Sequence, residues 1–342
     1  MSDRDPSKPS LEALTDGCHP FSLPWGHDVR VLLGGFKVED MSKQKGPWTK
    51  KSAFEISGSE MLAVVPDTKG GSMSYKDGMA TNSETSDDHL SASLGLTVGY
   101  PFLNASVTGD YDRNVMESHN VGFTSAAEMN AAFTDYLQQS IRASRNASCR
   151  LGRIILDQPP PLSIAAKSML QSQGPRQFAN VYGDYYVSGY ELGADAGASL
   201  SATTESKESK ERLAITVKVK ALFFERALPE AVITTSSSDS SSCITFVGYS
   251  TLGNSKRSVE ANGLSETGLG ALQKVSAAFL QEVGALEISA RNVMNRLGLV
   301  DGQQLSLERC SEVCKSGLVV QLLLAPYNRL VEFVELAAAR IP

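Results

Sequence analysis

The sequence lacks the features that would place it in several large classes of protein. None of its 342 residues lies in an apolar run of the roughly 18 to 20 residues that a transmembrane helix requires. Its formal net charge is −6, so it lacks the basic excess typical of nucleic-acid-binding proteins. The N-terminal residues lack the charged and apolar regions of a signal peptide. We therefore expect no nucleic-acid partner, and a soluble protein that is cytoplasmic or secreted by a non-classical route.

Cysteine and histidine are too few and too scattered for the common disulfide and metal frameworks. The five cysteines are odd in number, and only Cys310 and Cys314 lie close together in sequence. Their spacing is consistent with a local disulfide or with two buried free thiols, and we favour the thiols. The four histidines lack the paired spacing of a zinc site. We expect no metal and no cofactor.

Catalytic motifs are equally absent from the sequence. Ser250 lies in a Gly-Tyr-Ser-Thr-Leu-Gly stretch that has one residue too many for a nucleophile elbow, and we expect a turn there. Asp184 and Glu191 lack an evident acidic partner for acid-base chemistry and are more typical of a turn and a solvent-exposed face. The chain is therefore not expected to be an enzyme.

The chain does contain an unusually long strand-like segment between residues 182 and 202. From Tyr190 to Ala202 the even positions are apolar and the odd positions are polar or glycine. This two-residue period is typical of a strand with one apolar face. Most strands in globular proteins are about half this length, so the segment predicts a long strand in a large sheet.

Two other segments alternate in the same way. Residues 90 to 100 carry apolar side chains at even positions, the register reverses at Pro101-Phe102, and the alternation resumes from Leu103. Residues 213 to 219 alternate again after a charged stretch, which predicts a return strand. Dyad alternation is typical both of transmembrane β-hairpins and of any antiparallel sheet with one solvated face. Both interpretations stay open at this point.

The long segment also resembles the signature of the membrane-attack-complex/perforin (MACPF) family. Tyr182, Gly183 and Tyr186 match the family positions, Asp184-Tyr185 replaces a Thr-His pair, and Gly193-Ala194 stands where two glycines are usual. The resemblance implies an α+β fold similar to that of perforins and cholesterol-dependent cytolysins. Its central β-sheet would be bent and largely antiparallel, with flanking helical clusters. The implied organisation is a disordered tail over residues 1–20 and a single MACPF-like domain over 21–342.

The same resemblance implies a function and a set of site residues. The chain would be a membrane-binding, oligomerising pore-forming protein without catalytic activity, acting as a toxin or effector. Its partners would be a lipid membrane, further copies in a ring or arc, and an unidentified receptor or partner protein. The alternative is a non-lytic MACPF-fold protein with a structural or interaction role. Residues 67–118 and 203–242 are the candidate membrane hairpins. The candidate hinge glycines are Gly189, Gly193 and Gly197. The candidate lipid-facing side chains are Leu94, Leu96, Val98, Leu192, Leu213, Ile215 and Val217.

The remaining segments give local expectations. Strands are predicted at residues 31–36, 61–65 and 244–249, and a mobile loop at 67–88. Helices are predicted from Ser125 to about Ala147, over 163–171 and over 269–297, with a last helix that begins at Pro326.

Overall fold

A computed structural model describes most of the chain apart from two long connections and several short segments. The described residues are 19–24, 32–41, 43, 45–57, 61–66, 72–80, 140–156, 158–203, 219, 243–252, 257–262 and 266–339. Residues 1–18 lie outside this set, and the division into a tail and one domain over 21–342 stays a prediction.

In the described part of the chain, ten strands form one sheet, and every pairing between them is antiparallel. The strands are β1 (Phe21–Pro24), β2 (Gly35–Phe36), β3 (Met61–Pro66), β4 (Ser72–Ala80), β5 (Ser140–Leu156), β6 (Tyr185–Thr203), β7 (Cys243–Ser250), β8 (Arg257–Asn262), β9 (Gln304–Ser306) and β10 (Val319–Pro326). The two longest strands, β5 and β6, pair with each other and form the centre of the sheet. The predicted α+β class with a bent, largely antiparallel central sheet is confirmed.

Six α-helices lie entirely within the described residues. Their bounds are α1 (Ile164–Gln173), α2 (Pro175–Tyr182), α3 (Glu266–Gly284), α4 (Leu286–Arg296), α5 (Leu307–Lys315) and α6 (Val331–Ala338). Ser163 caps α1 by accepting a hydrogen bond from the Ala166 N–H, and Pro175 starts α2 at a position where a missing N–H is harmless.

One face of the sheet is buried beneath α3 and α4. This face carries the even-numbered side chains of β6, which are all buried from Tyr190 to Ala202. Many of them are alanines, so a helix can approach closely. At Gly248 of β7 an added Cβ would lie 2.9 Å from the ring of Phe279 on α3. The apolar face predicted for this strand is therefore the core between the sheet and the helices.

Several local predictions are confirmed. Strands occupy Met61–Pro66 and Cys243–Ser250, and α1 matches the helix predicted over 163–171. Ser250 ends β7 and is followed by the predicted turn, at Thr251-Leu252. Cys310 and Cys314 are buried free thiols on α5.

Two predictions next to the first long connection are wrong. Ser72–Ala80, predicted as part of a mobile loop, is β4, and residues 140–147, predicted as the end of a helix, belong to β5. The reason is tertiary: these polar stretches pair with each other residue by residue, from Ser72 with Arg150 to Ala80 with Arg142. The rest of the predicted helix, and the predicted strands at 90–111, lie outside the described residues.

Other boundaries also differ from the predictions. Val219, predicted on a return strand, is helical and buried. The helix predicted over 269–297 is interrupted at Ala285, directly after Gly284, a residue that favours helix ends. Pro326 ends β10 and is followed by a short 3-10 helix, Tyr327–Arg329, whereas the α-helix α6 begins only at Val331. The strand predicted over 31–36 is reduced to Gly35–Phe36, because Leu33 adopts a turn with a φ of 66°.

Candidate functional site at the bend of the sheet

The two central strands, β5 and β6, each change their outer pairing partner at the same level of the sheet. Along one edge, β6 pairs with β10 up to Leu192 and with β7 from Ala196 onward. Along the other edge, β5 pairs with β4 up to Arg150 and with β3 from Gly152 onward, with a register shift between Arg150 and Gly152. We call this level, formed by residues 150–152 of β5 and 192–195 of β6, the bend. Bulges of this kind kink a strand and increase its twist.

Two predicted hinge glycines lie where the backbones of β5 and β6 approach closely. A Cβ added to Gly193 would lie 2.0 Å from the Cys149 carbonyl oxygen, and one added to Gly189 would lie 2.4 Å from the Ile154 carbonyl oxygen. No side chain fits at either position without backbone displacement. Gly197 lies further along β6, in register with Asn146 and Tyr249. Gly189 and Gly193 are thus explained by close strand packing, and the role of all three glycines as hinges stays a prediction.

A largely buried ion pair crosses the bend. Arg150 on β5 donates two hydrogen bonds to the Asp195 carboxylate on β6, with Nη1–Oδ1 and Nη2–Oδ2 distances of 2.6 and 3.2 Å. Arg150 also donates to the Cys149 carbonyl oxygen at 3.0 Å. Burial raises the pKa of Asp195 above its ordinary value, and the adjacent guanidinium opposes that shift. This bidentate geometry fixes the two strands relative to each other.

The ends of β7 and β10 are joined to the same point. The Asp195 N–H donates to Thr251 Oγ1 at 3.0 Å, and the Thr251 N–H donates to the Asp195 carbonyl oxygen at 2.9 Å. Gly317, with a φ of +81°, packs so tightly on Thr251 that an added Cβ would lie 1.7 Å from its carbonyl oxygen. The Gly193 N–H donates to the Leu318 carbonyl oxygen at 2.8 Å. The bend of β6 is therefore held by contacts to β5, to the residue after β7 and to the residue before β10.

Sequence reasoning did not single out Arg150, Asp195 or Thr251. It assigned Asp195 to the solvated face of the long strand, whereas its side chain is almost completely buried. The available signal was a carboxylate within an otherwise uncharged run, from Leu192 to Thr203, that consists mainly of alanine, glycine and serine. Such a charge needs a partner when it is buried, but the sequence alone does not identify Arg150 as that partner.

The signature residues form the structural start of β6. Tyr182 is the last residue of α2, and Gly183 follows it with a φ of +89°, where an added Cβ would lie 2.5 Å from the Phe36 carbonyl oxygen. The Asp184 carboxylate accepts a hydrogen bond from the Val38 N–H at 2.9 Å. Tyr186 packs against Phe54 and Tyr327, with ring centroids 4.9 and 5.1 Å apart. The signature thus anchors the end of the strand opposite to Thr203, and Tyr182 itself is helical rather than extended.

The predicted lipid-facing residues are not brought together in the described structure. Leu192 is completely buried, so its exposure to lipid would require the sheet to open at the bend. The others lie outside the described residues: Leu94, Leu96, Val98, Leu213, Ile215 and Val217.

The described residues contain no group of three or more histidine, cysteine or acidic side chains arranged to hold a metal ion.

Burial raises the pKa of the Cys149 and Cys314 thiols to about 11, and that of Cys310 to about 12. Because the thiolate is the nucleophile, these groups are inert at neutral pH.

We therefore expect slow thiol labelling in the folded protein. In a Cys18→Ser/Cys243→Ser variant, a maleimide or aromatic disulfide reagent at pH 8 should react at least about 100-fold more slowly than with a free thiol, because little thiolate forms and access is blocked. In denaturant all three thiols should react fully. Rapid labelling of the folded protein would contradict the burial of these side chains.

No helix among the described residues is both long and apolar enough to cross a bilayer.

No protein-family model matches the chain, and no curated protein matches its sequence.

Several solved structures are similar to the chain. A MAC/Perforin-domain protein from Bacteroides thetaiotaomicron is 11% identical, with 99% of this chain and 63% of that chain covered and a TM-score of 0.31. The cytotoxin suilysin from Streptococcus suis is 11% identical, with 90% of this chain and 60% of that chain covered and a TM-score of 0.35. GNIP1Aa from Chromobacterium piscinae is 14% identical, with 93% of this chain and 54% of that chain covered and a TM-score of 0.31.

Perforin-domain proteins and cytolysins are the neighbours that the sequence resemblance predicts. This chain spans 54% to 63% of the length of these three structures. At TM-scores near 0.3 no residue roles are transferred from them, and the functional proposal rests on this chain's own strands and side chains.

Proposed function

We propose that the chain is a membrane-binding, oligomerising pore-forming protein of the perforin-like type, without catalytic activity. In this proposal residues 81–139 and 204–242 form the membrane hairpins. The observation that carries it is topological: both segments leave the sheet at the same end, and each joins two strands that are already neighbours.

The register of the strands defines this end of the sheet. Ala80, the last residue of β4, pairs with Arg142 near the start of β5. Ser140, the first residue of β5, pairs with Thr203, the last residue of β6, and Thr203 also pairs with Cys243, the first residue of β7. Hydrogen-bonded antiparallel strands need only a turn of about two residues to connect them. The long connections are therefore not required by the topology, and in the proposal they supply the function.

The boundaries of the candidate hairpins change accordingly. The predicted ranges, 67–118 and 203–242, included Ser72–Ala80 and Thr203, which are strand residues of the sheet. The corrected connections still contain the alternating segments around Leu96 and Ile215. Segments of about ten residues with dyad alternation are typical of transmembrane β-strands. Because Val219 is helical, the second connection would have to change its secondary structure to insert.

The sheet also offers edges for self-association. In the described part of the chain β4 pairs only with β5, and β8 pairs only with β7. These two strands bound the half of the sheet from which the long connections leave. Free edges are templates for pairing with another chain, so a ring or arc of copies would extend the sheet from molecule to molecule.

The proposal is tested by dye release from liposomes of several compositions, with and without lipid extract from host cells. Co-sedimentation measures surface binding separately, and electron microscopy of the treated liposomes shows whether rings or arcs form. Release with visible assemblies supports the proposal, whereas binding without release under every condition contradicts pore formation.

A lysine at Leu96 tests the assignment of the lipid-facing side. We expect Leu96→Lys to abolish or strongly reduce dye release, because a lysine facing lipid at the bilayer midplane costs about 2–4 kcal/mol per chain. Thr97→Lys is the matched control, because in the proposal the Thr97 side chain faces the lumen. Its effect on dye release should be much smaller. Thermal unfolding of both variants is measured alongside. Equal dye release by the parent and a well-folded Leu96→Lys protein would contradict the assignment.

The second candidate function is a non-lytic perforin-fold protein with a structural or interaction role. The bend favours it, because the Arg150–Asp195 pair and the glycine contacts stabilise the bent form of the sheet. Under this alternative, weakening the bend changes stability alone and never produces dye release.

A further inference from the structure

A lysine-rich hairpin packs beside the start of β6. Phe36 and Trp48 form an antiparallel bridge, and the Lys37 N–H donates to the Pro47 carbonyl oxygen at 2.7 Å. The Thr49 N–H donates to the Gly35 carbonyl oxygen at 2.9 Å. The rings of Phe36 and Trp48 contact edge to face, with centroids 5.2 Å apart. We call residues 35–51 the basic hairpin; its base is held by these contacts.

The basic hairpin concentrates positive charge on a chain that is acidic as a whole. It contains five lysines and two acidic residues, whereas the whole chain has a formal net charge of −6. The lysines are Lys37, Lys43, Lys45, Lys50 and Lys51. Four of them, all except Lys37, are exposed. Such an asymmetry directs an approaching anionic partner to this part of the surface.

Two of the ammonium groups are held in place. Lys43 and Lys45 each form an ion pair with a different oxygen of the buried Asp40 carboxylate. These ion pairs lower the pKa of Asp40, so it remains charged at neutral pH. One carboxylate neutralises one of the two lysines, and more than half of each lysine side chain remains exposed. The lysines are therefore positioned before any partner arrives, which reduces the entropy lost on binding.

The patch continues onto the neighbouring helix. Lys37 Nζ donates to Asn180 Oδ1 of α2 at 3.0 Å. Arg176 is exposed four residues earlier on α2 and so lies on the same helix face as Asn180. Glu39 is the exposed acidic residue of the hairpin itself, and it pairs with Lys37 at 3.4 Å.

The position of the basic hairpin decides which anionic partner it fits. β2 pairs with Tyr185 and Tyr186, at the start of β6, whereas both long connections leave the sheet at the level of Thr203. The 19 residues of β6 cover about 60 Å along the strand at the usual rise per residue. If the long connections enter a membrane, as proposed above, the basic hairpin lies at the far end of the strand from that membrane.

We propose that the basic hairpin, together with Arg176, is a docking surface for an acidic segment of a partner protein. The assignment to protein rather than to lipid rests on the proposed function, because that function places the membrane at the opposite end of β6. The interaction would be electrostatic, rapid and sensitive to salt.

The test uses fluorescent poly-L-glutamate as the probe and the full chain as the receptor. We expect saturable binding at low salt that weakens steeply as salt rises. Lys50→Glu/Lys51→Glu should reduce the affinity at least tenfold and leave the ion pairs of Asp40 intact. Lys274→Glu/Lys315→Glu makes the same change of net charge at exposed lysines elsewhere and should have little effect. Thermal unfolding verifies that both variants are folded.

Anionic liposomes distinguish the competing partner class. The Lys50→Glu/Lys51→Glu protein should bind to these liposomes, and release dye from them, as the parent does. If instead the variant loses liposome binding, the surface recognises lipid and the proposal is wrong. Absence of poly-L-glutamate binding, or equal loss in both variants, also overturns it. Dye release by the parent is scored separately, so failure of pore formation does not count as failure of the docking surface.

Discussion

Replacing Arg150 by methionine is expected to lower the free energy of unfolding by about 3–5 kcal/mol, because removal of one partner leaves the other charge buried and unpaired. The charge left unpaired is that of Asp195, which lies at the bend of β6 and is buried. Chemical denaturation measures the loss, with the slope of the transition compared to verify two-state unfolding.

Arg153 provides the matched control. It lies on the same strand three residues later, its side chain is 59% exposed, and its contact with Glu191 is 3.6 Å long. Exposed pairs of this kind contribute at most about 1 kcal/mol, so Arg153→Met should change stability little. The double variant Arg150→Met/Asp195→Leu should recover much of the loss, since no charge is then left unpaired. Equal losses in the two arginine variants would contradict the structural importance of the buried pair.

The Arg150→Met protein also discriminates between the two candidate functions. If the bend must open before the long connections insert, a weakened bend should raise the rate of dye release per folded molecule. The measurement is made at a temperature where the variant is fully folded. Unchanged dye release in a destabilised variant would separate the bend from pore formation.

A second large effect is expected at Gly193. Gly193→Ala should destabilise the protein by about 3 kcal/mol, the upper end of the usual cost of overpacking, or prevent folding, because the added methyl group would lie 2.0 Å from a carbonyl oxygen of the adjacent strand. Replacement by valine adds still more volume. Neither variant can therefore isolate a hinge role, because either change disrupts the packed monomer before any conformational change occurs. Near-native stability of Gly193→Ala would contradict this close strand contact.

The hinge role is tested at the next position instead. Ala194→Gly restores the second glycine of the signature, and we expect a loss of about 0.5–1 kcal/mol from the greater freedom of the unfolded chain. Ala198→Gly is the control: it is a buried alanine on the same face of β6, away from the bend. Both should show similar losses in thermal unfolding. Faster dye release for Ala194→Gly alone supports a hinge at the bend, and equal rates for the two variants contradict it.

The alternation of the sequence determined its longest strand, and the resemblance to the MACPF signature implied the class of fold. The even positions from Tyr190 to Ala202 are apolar in sequence and buried in the structure, because every second side chain of a strand points to the same face. This period depends on neighbours in sequence, so the sequence alone was sufficient. The start of the strand is different: Tyr182 ends α2, Gly183 follows with a backbone conformation that other residues rarely adopt, and β6 begins only at Tyr185.

Tertiary structure decided the remaining features. Ser72–Ala80 and residues 140–147 have little apolar character, and they form strands only because they pair with each other and, for β5, with β6. Arg150 and Asp195 are 45 residues apart, so neither charge shows its partner in the sequence. The bend exists because β6 pairs with β10 along one half and with β7 along the other, and strand pairing at such sequence separations is a property of the folded chain.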